Sequence, residues 1–242
     1  MKITVLFFLA FFSLATQAQE SGNSKTNKDF DPPMLMRSIG ISFQSFDGLN
    51  SRVANRPEFK TLKDYAGSIE FGFMKVSNRF ITDMVLSAGS SMSGDRDRKS
   101  STYRFVGAAI DLGYDVVPNE KILLYPIVGI GGQQYMARFY KDNSAVPFDV
   151  VLASPDAQNN IRPVNFRNTF FTYRLGAGFA VKSPGKSTST YGIQARYTGS
   201  FKDKAWKSSD NQELANAPKD GLSQFQISLI VTDMPMRKMG RK

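Results

Sequence analysis

Glu70, Asp83 and Asp111, together with Arg174 and Arg196, are the residues whose types could support acid–base or charge-pair chemistry. Two carboxylates held close together can divide the acid and base roles between them. What the chain lacks narrows that prospect, because its 242 residues include no His and no Cys. Ser-His-Asp and Cys-His catalysis, and the His-containing zinc sites, therefore miss an indispensable part. No nucleophile or binding cleft accompanies Asp83 and Asp111. No catalytic, cofactor-binding or metal-ligating residue is assigned, no cofactor is expected, and the chain is read as not an enzyme. The economical reading is a structural network inside the fold, since a buried charge must be paired or hydrogen-bonded. Two arginines would bridge three carboxylates, with Gln194, Gln226 and Ser228 satisfying the remaining groups.

The elements that would hold these residues alternate strictly. Ile39, Ile41 and Phe43 face one way, while Gly40, Ser42 and Gln44 face the other. The same period of two places Glu70 opposite Ile69 and Phe71, Asp111 opposite Ile110 and Leu112, Arg174 opposite Tyr173 and Leu175, and Arg196 opposite Ala195 and Tyr197. Further segments run through Leu124–Ile130 and Phe225–Val231. The segment around Asp83 is less clean, because Val85 interrupts its polar face. Eight such segments lie between Arg37 and Val231, and alternation of this length marks strands with one apolar and one polar face. Each is near the roughly 9–11 residues that cross a bilayer when tilted.

The connections choose between a sandwich and a barrel. Val76 to Arg79, Val117 to Glu120 and Lys182 to Ser189 are short. Asp47 to Asp64, Ser93 to Ser100, Arg138 to Asn168 and Lys202 to Asp220 are polar and mostly long, and the two kinds alternate without a break. An up-and-down membrane barrel produces that asymmetry, with short turns on one side and longer loops on the other. Closure is then required, because lipid offers no partner to edge N–H and C=O groups. The fold class expected is all-β, an eight-stranded antiparallel up-and-down transmembrane β-barrel. Tyr65, Tyr114, Phe171, Tyr173, Tyr191, Phe201 and Phe225 fall toward strand ends, where aromatic girdles belong.

The ends of the chain suggest its destination. Met1-Lys2, an apolar stretch from Ile3 to Ala15, and Thr16-Gln17-Ala18 form a secretory signal over 1–18. Residues 19–36, with Asp31-Pro32-Pro33, read as a flexible periplasmic lead-in. Residues 37–231 form the barrel and 232–242 a basic tail. The net charge of +10 and pI near 9.7 would suggest nucleic acid in a cytosolic protein. In an exported one they suit anionic lipid or phosphorylated glycolipid.

Asp111-Leu112-Gly113-Tyr114-Asp115, a short turn, and Leu124-Tyr125-Pro126-Ile127-Val128-Gly129-Ile130-Gly131-Gly132 resemble the small outer-membrane β-barrel proteins. These are the OmpA-like transmembrane domains and the OmpX-like barrels. The resemblance implies an outer-membrane location, a monomer, and delivery by the barrel-insertion machinery. Many members end on an aromatic residue of the last strand, whereas here Thr232 to Lys242 follow it. That tail is too short for a peptidoglycan-binding domain.

A barrel of eight strands is just wide enough for its side chains to fill it. The expected role is structural or carried by loops, with lipopolysaccharide, outer-membrane lipid and a protein or surface ligand as partners and no nucleic acid. A narrow pore for small solutes, or a place in an envelope secretion or assembly machine, are the alternatives. Arg96, Arg98 and Lys99 in the second loop are candidates for glycolipid phosphates. Phe148 in the longest loop and Trp206 in the last are candidates for partner contact.

Overall fold

The computed structural model of the chain describes residues 33–94, 98–117, 121–183 and 189–233. The expected signal segment, most of the lead-in, Arg96 and the tail beyond Asp233 lie outside the described residues.

Inward and outward side chains alternate along β1 (Met34–Gln44), β2 (Tyr65–Ser77), β3 (Phe80–Ser90), β4 (Ser100–Tyr114), β5 (Ile122–Tyr140), β6 (Val164–Lys182) and β7 (Thr190–Ser200). Three two-residue strands follow in the last loop, β8 (Lys204–Ala205), β9 (Lys207–Ser208) and β10 (Lys219–Asp220), and then β11 (Ser223–Asp233). β1 to β6 each pair antiparallel with the next in sequence, β7 pairs with β11, and β11 pairs with β1. The ring therefore closes on itself as an eight-stranded barrel with no free edge.

The tight turn at Asn78 and Arg79 shows how the sequence sets a hairpin. Both residues have positive φ, 49° and 71°, and Ser77 pairs directly with Phe80. Two such residues form the turn whose twist matches the flanking strands. The first strand begins earlier than alternation from Arg37 indicates, because Met34-Leu35-Met36 is apolar on both faces and hides its period. Met34 and Met36 in fact continue the inward face and are buried.

β5 and β6 are 19 residues each, about twice a bilayer crossing. Their register holds as far as Phe139 opposite Val164, so the hairpin rises beyond the rest of the barrel at the loop end. It carries α2 (Phe148–Ala153) and α3 (Pro155–Asn160), while the first loop forms α1 (Asp47–Ala54).

The outward face is apolar: Ile39, Phe71, Phe73, Phe80, Val128, Phe171 and Leu229 are all more than half exposed. Large aliphatic and aromatic groups are left uncovered around the ring, an arrangement that water penalises and lipid does not. Aromatic pairs bound this belt, with Phe80 against Tyr114 at 5.2 Å near the turn end and Phe171 against Phe201 at 5.1 Å near the loop end. Arg79 lies over the Tyr114 ring at 5.0 Å. Among the described residues no helix is long and apolar enough to cross a membrane.

Candidate functional site

The interior is built in three layers. Nearest the turn end, Met34, Met36, Met74, Ile81, Leu123, Tyr125 and Ile230 pack into an apolar floor, with Val85 among them. Val85, which disturbs the polar face of its strand in the sequence, is here the upper edge of that floor.

The charged layer lies above. Arg196 pairs with Glu70, and its other terminal nitrogen stands 3.4 Å from Asp111 Oδ2. Arg174 reaches the same Asp111 oxygen at 3.2 Å and Glu70 Oε1 at 3.7 Å. Ser38 donates its hydroxyl to Glu70 Oε2 at 2.8 Å. All four charged groups are almost fully buried, so this is a crossed pair of pairs in a water-poor space. Glycine makes the room: a Cβ on Gly129 would collide with Asp111 Oδ1, and one on Gly176 would stand 2.7 Å from Arg196 Cγ. The gaps in the inward face of β5 and β6 are the volumes that the acid and the arginine fill.

The network differs from the sequence expectation in two ways. The arginines bridge two carboxylates rather than three, and Asp83 makes no ion pair among the described residues. Gln226 bonds Ser68 at 3.3 Å and Ser228 at 2.9 Å, and neither amide atom of Gln194 has a partner. The physical reason is depth. Asp83 sits opposite Asp111 in the β3–β4 register but between the floor residues Ile81 and Val85 along β3, and Asp111 already receives both arginines.

With three carboxylates and two guanidiniums, Asp83 is the surplus charge in a desolvated layer. Asp83→Asn is the isosteric change that removes it. We expect this variant to be more stable than the parent by about 1 kcal/mol, because the amide keeps the volume and removes the like-charge repulsion from Asp111 across the strand pair. Urea titration of the folded fraction at neutral pH measures it; a less stable variant would show that the carboxylate is paired.

A glutamine ladder forms the upper side of the charged layer. Gln133 Nε2 donates to Gln224 Oε1 at 3.2 Å, and Gln224 Nε2 donates to Gln44 Oε1 at 3.0 Å. Gln44 also bonds the Tyr103 hydroxyl, and Tyr135 donates to Gln133 Oε1 at 3.0 Å. Those tyrosines belong to the third layer, an aromatic lid. Phe46 is its centre, with ring centroids 5.0 Å from Tyr135, 5.3 Å from Trp206 and 5.9 Å from Tyr103. Leu49 and Val53 of α1 press down on it.

Trp206 is thus corrected from a candidate contact to a lid residue. It is fully buried, and its indole N–H donates to Asp220 at 2.6 Å. The lid itself escapes a reading whose fifth segment runs only through Leu124–Ile130. Its signal is the continuing inward parity of Tyr103 and Phe105, and of Gln133, Tyr135, Ala137 and Phe139.

Other candidates stay outside. Phe148 is 74% exposed at the tip of the long hairpin. Lys99 donates to the Pro57 carbonyl at 2.9 Å, tying the second loop to the first. Beside α1 a groove of about 410 Å³ opens, floored by Val53, Phe139, Phe166 and Trp206 and rimmed by Arg52 and Arg56. Among the described residues no cluster of His, Cys, Asp or Glu is arranged to hold a metal ion.

No family model and no curated protein sequence matches the chain. Among solved structures it is similar to Ail, the attachment invasion locus protein of Yersinia pestis, at 14% identity, covering 83% of this chain and 97% of that one with a TM-score of 0.45. Neisserial surface protein A is similar at 10% identity over 84% and 97%, TM-score 0.46. A major outer membrane protein from Thermus thermophilus is similar at 8% identity over 83% and 98%, TM-score 0.47. These three are small outer-membrane barrels of eight strands, and a closed barrel of eight antiparallel strands is what this chain forms.

Proposed function

We propose that the chain is a bacterial outer-membrane protein that spans the lipid as a sealed barrel and works through its loop end. Its role is to scaffold and present an interaction surface, not to conduct solute or to catalyse. One observation carries this reading: the interior is filled from end to end by the methionine-rich floor, the crossed ion pairs and the aromatic lid. A solute would have to part the buried pairs and also displace packed aromatics on one side and methionines on the other. Opening only the charged layer leads nowhere.

The apolar belt and its aromatic margins support the lipid setting. The risen β5–β6 hairpin, with Phe148 at its tip, and the groove rimmed by Arg52 and Arg56 support the loop end as the working surface. Binding residues favour loops carried on a rigid scaffold.

Outer-membrane fractionation with heat-dependent gel mobility tests the setting, and planar-bilayer recording of the folded protein tests the sealed interior. A membrane-bound, heat-shifted band with no unitary conductance is expected. Discrete conductance steps from folded protein would establish the narrow pore instead. A soluble periplasmic protein without a mobility shift would overturn the whole reading.

A further inference from the structure

Arg104, Arg138 and Arg167 stand on the outer wall of three adjacent strands just above the apolar belt. Their inward neighbours fix their direction: Tyr103, Phe105, Ala137, Phe139 and Phe170 are buried in the lid, so the alternate residues point out. The register links them, with Arg104 opposite Met136, Met136 opposite Arg167, and Arg138 opposite Thr102 and Asn165. Each arginine is therefore a diagonal step from the next, about 7–8 Å in such a lattice.

Like charges placed so close repel, and the acid nearest the wall, Glu213, is already paired at 3.3 Å with Lys207, which lies opposite Arg167. No Asp or Glu occurs in residues 98–107, 132–141 or 164–171. Among the described residues none of the three makes a salt bridge. The Nε atoms of Arg138 and Arg167 are buried without an acceptor, and Asn165 Oδ1 beside them has no donor. The Arg138 guanidinium instead touches Met136 Sδ, a weak acceptor, at 3.3 Å. Next to Arg104 a cavity of about 590 Å³ adds Arg98, Lys141, Ser100, Thr102 and Asn143. It is lined by hydroxyl, amide and cationic groups, as a sugar bearing anionic groups requires.

The height is informative. Arg167 lies four residues above Phe171, which stacks on Phe201 at the loop-end margin of the belt. Four residues of tilted strand rise about 10 Å, and the headgroup layer begins where the hydrocarbon ends. The arginines face sideways into that layer rather than up into solvent.

We propose that Arg104, Arg138 and Arg167 form a ledge that binds the phosphate groups of glycolipid headgroups in the surrounding leaflet, with the adjoining cavity taking the sugar. Planar guanidiniums meet phosphate oxygens in pairs, and no carboxylate among the described residues pairs with these three. The inference rests on the membrane setting proposed above and names the partner of the barrel's outer wall.

The test uses the full chain folded into phosphatidylcholine vesicles doped with rough lipopolysaccharide, extracted into mild detergent and weighed intact with its bound lipid. The parent is expected to keep phosphorylated glycolipid. Arg104→Gln/Arg138→Gln/Arg167→Gln is expected to lose at least about tenfold of it, a change worth ~1.4 kcal/mol. Arg162→Gln/Lys202→Gln/Lys204→Gln removes as many charges from loops outside the ledge and should retain it. Dephosphorylated glycolipid should not be kept, and the soluble phosphorylated headgroup sugar should not compete.

Equal retention by the ledge variant, or by dephosphorylated lipid, overturns the proposal, and competition by the soluble sugar overturns the assignment to the leaflet. A heat-shifted band certifies folding of each variant. Should the glutamine variant fail to fold, the Arg→Lys version of the same triple keeps charge but loses the paired geometry, and its retention must still fall. Failure of the membrane setting would appear separately, as parent protein that does not insert at all.

Discussion

Replacing Arg196 with methionine is expected to cost about 3–5 kcal/mol of barrel stability, the range for breaking a buried ion pair by removing one partner. Arg196 is 1% exposed and answers both Glu70 and Asp111. Without it, Arg174 alone faces three carboxylates, reaching Glu70 at 3.7 Å and Asp111 at 3.2 Å. Methionine fills most of the volume, so the loss reports charge rather than a cavity. Arg196→Lys should fall between, because an ammonium is a point charge that cannot reach both acids with a planar fork. Adding Glu70→Gln to the methionine variant should restore part of the loss by removing one orphaned carboxylate. Urea titration of the heat-shifted fraction in one lipid system measures all four proteins. If Arg196→Met unfolds at the parental midpoint, the crossed pairs contribute nothing to stability, and the filled-interior reading would rest on the floor and lid alone.

How much of the fold is legible in the sequence depends on which face of each strand carries the signal. Period two placed Glu70, Asp83, Asp111, Arg174 and Arg196 inside, and all five are buried there. Parity settles direction, and a charged side chain among outward apolar neighbours makes parity visible. It fails where both faces are alike, as at Met34-Leu35-Met36, whose strand residues look like lead-in. It also fails to say which acid meets which arginine, because that depends on stagger around the ring. Asp83 and Asp111 meet across β3–β4, while Glu70 and Arg196 come from strands separated by two others.

The lid was hidden for a further reason. Its aromatics lie beyond the length needed to cross lipid, where a strand pattern is easily taken for loop. Trp206 and the start of α1 are also held by one shared residue, which lies 172 positions along the chain from Gly48. Such contacts leave no spacing in the sequence to detect.

That distant residue is Asp220, and Asp220→Ala is expected to open the lid while leaving the barrel closed. Its carboxylate accepts from the Gly48 N–H at 2.6 Å, the Leu49 N–H at 3.0 Å and the Trp206 indole at 2.6 Å. The first two are orphan donors of the opening turn of α1, and no side chain from the helix's own N-cap meets them. A carboxylate at that end is favoured by the helix dipole as well. Gly48 admits it, since a Cβ there would stand 2.6 Å from the Lys219 carbonyl and 2.8 Å from Asp220 Oδ1. Charge-assisted bonds contribute roughly 1.5–3 kcal/mol each and are not additive, so a local loss of about 3 kcal/mol is the reasonable scale. Exchange of the Asn50 amide, which bonds the Phe46 carbonyl at 2.8 Å, should then speed up by about a hundredfold. Trp206 is the only tryptophan, so its emission should move to the red as the indole meets water. The eight barrel strands make no use of Asp220 in their register, so heat-dependent mobility should persist. Asp220→Asn keeps one acceptor oxygen and should give a smaller change in both readouts. Unchanged Asn50 exchange and unchanged emission in the alanine variant would mean that packing around Phe46 holds α1 down unaided, and that the lid does not depend on its distant cap.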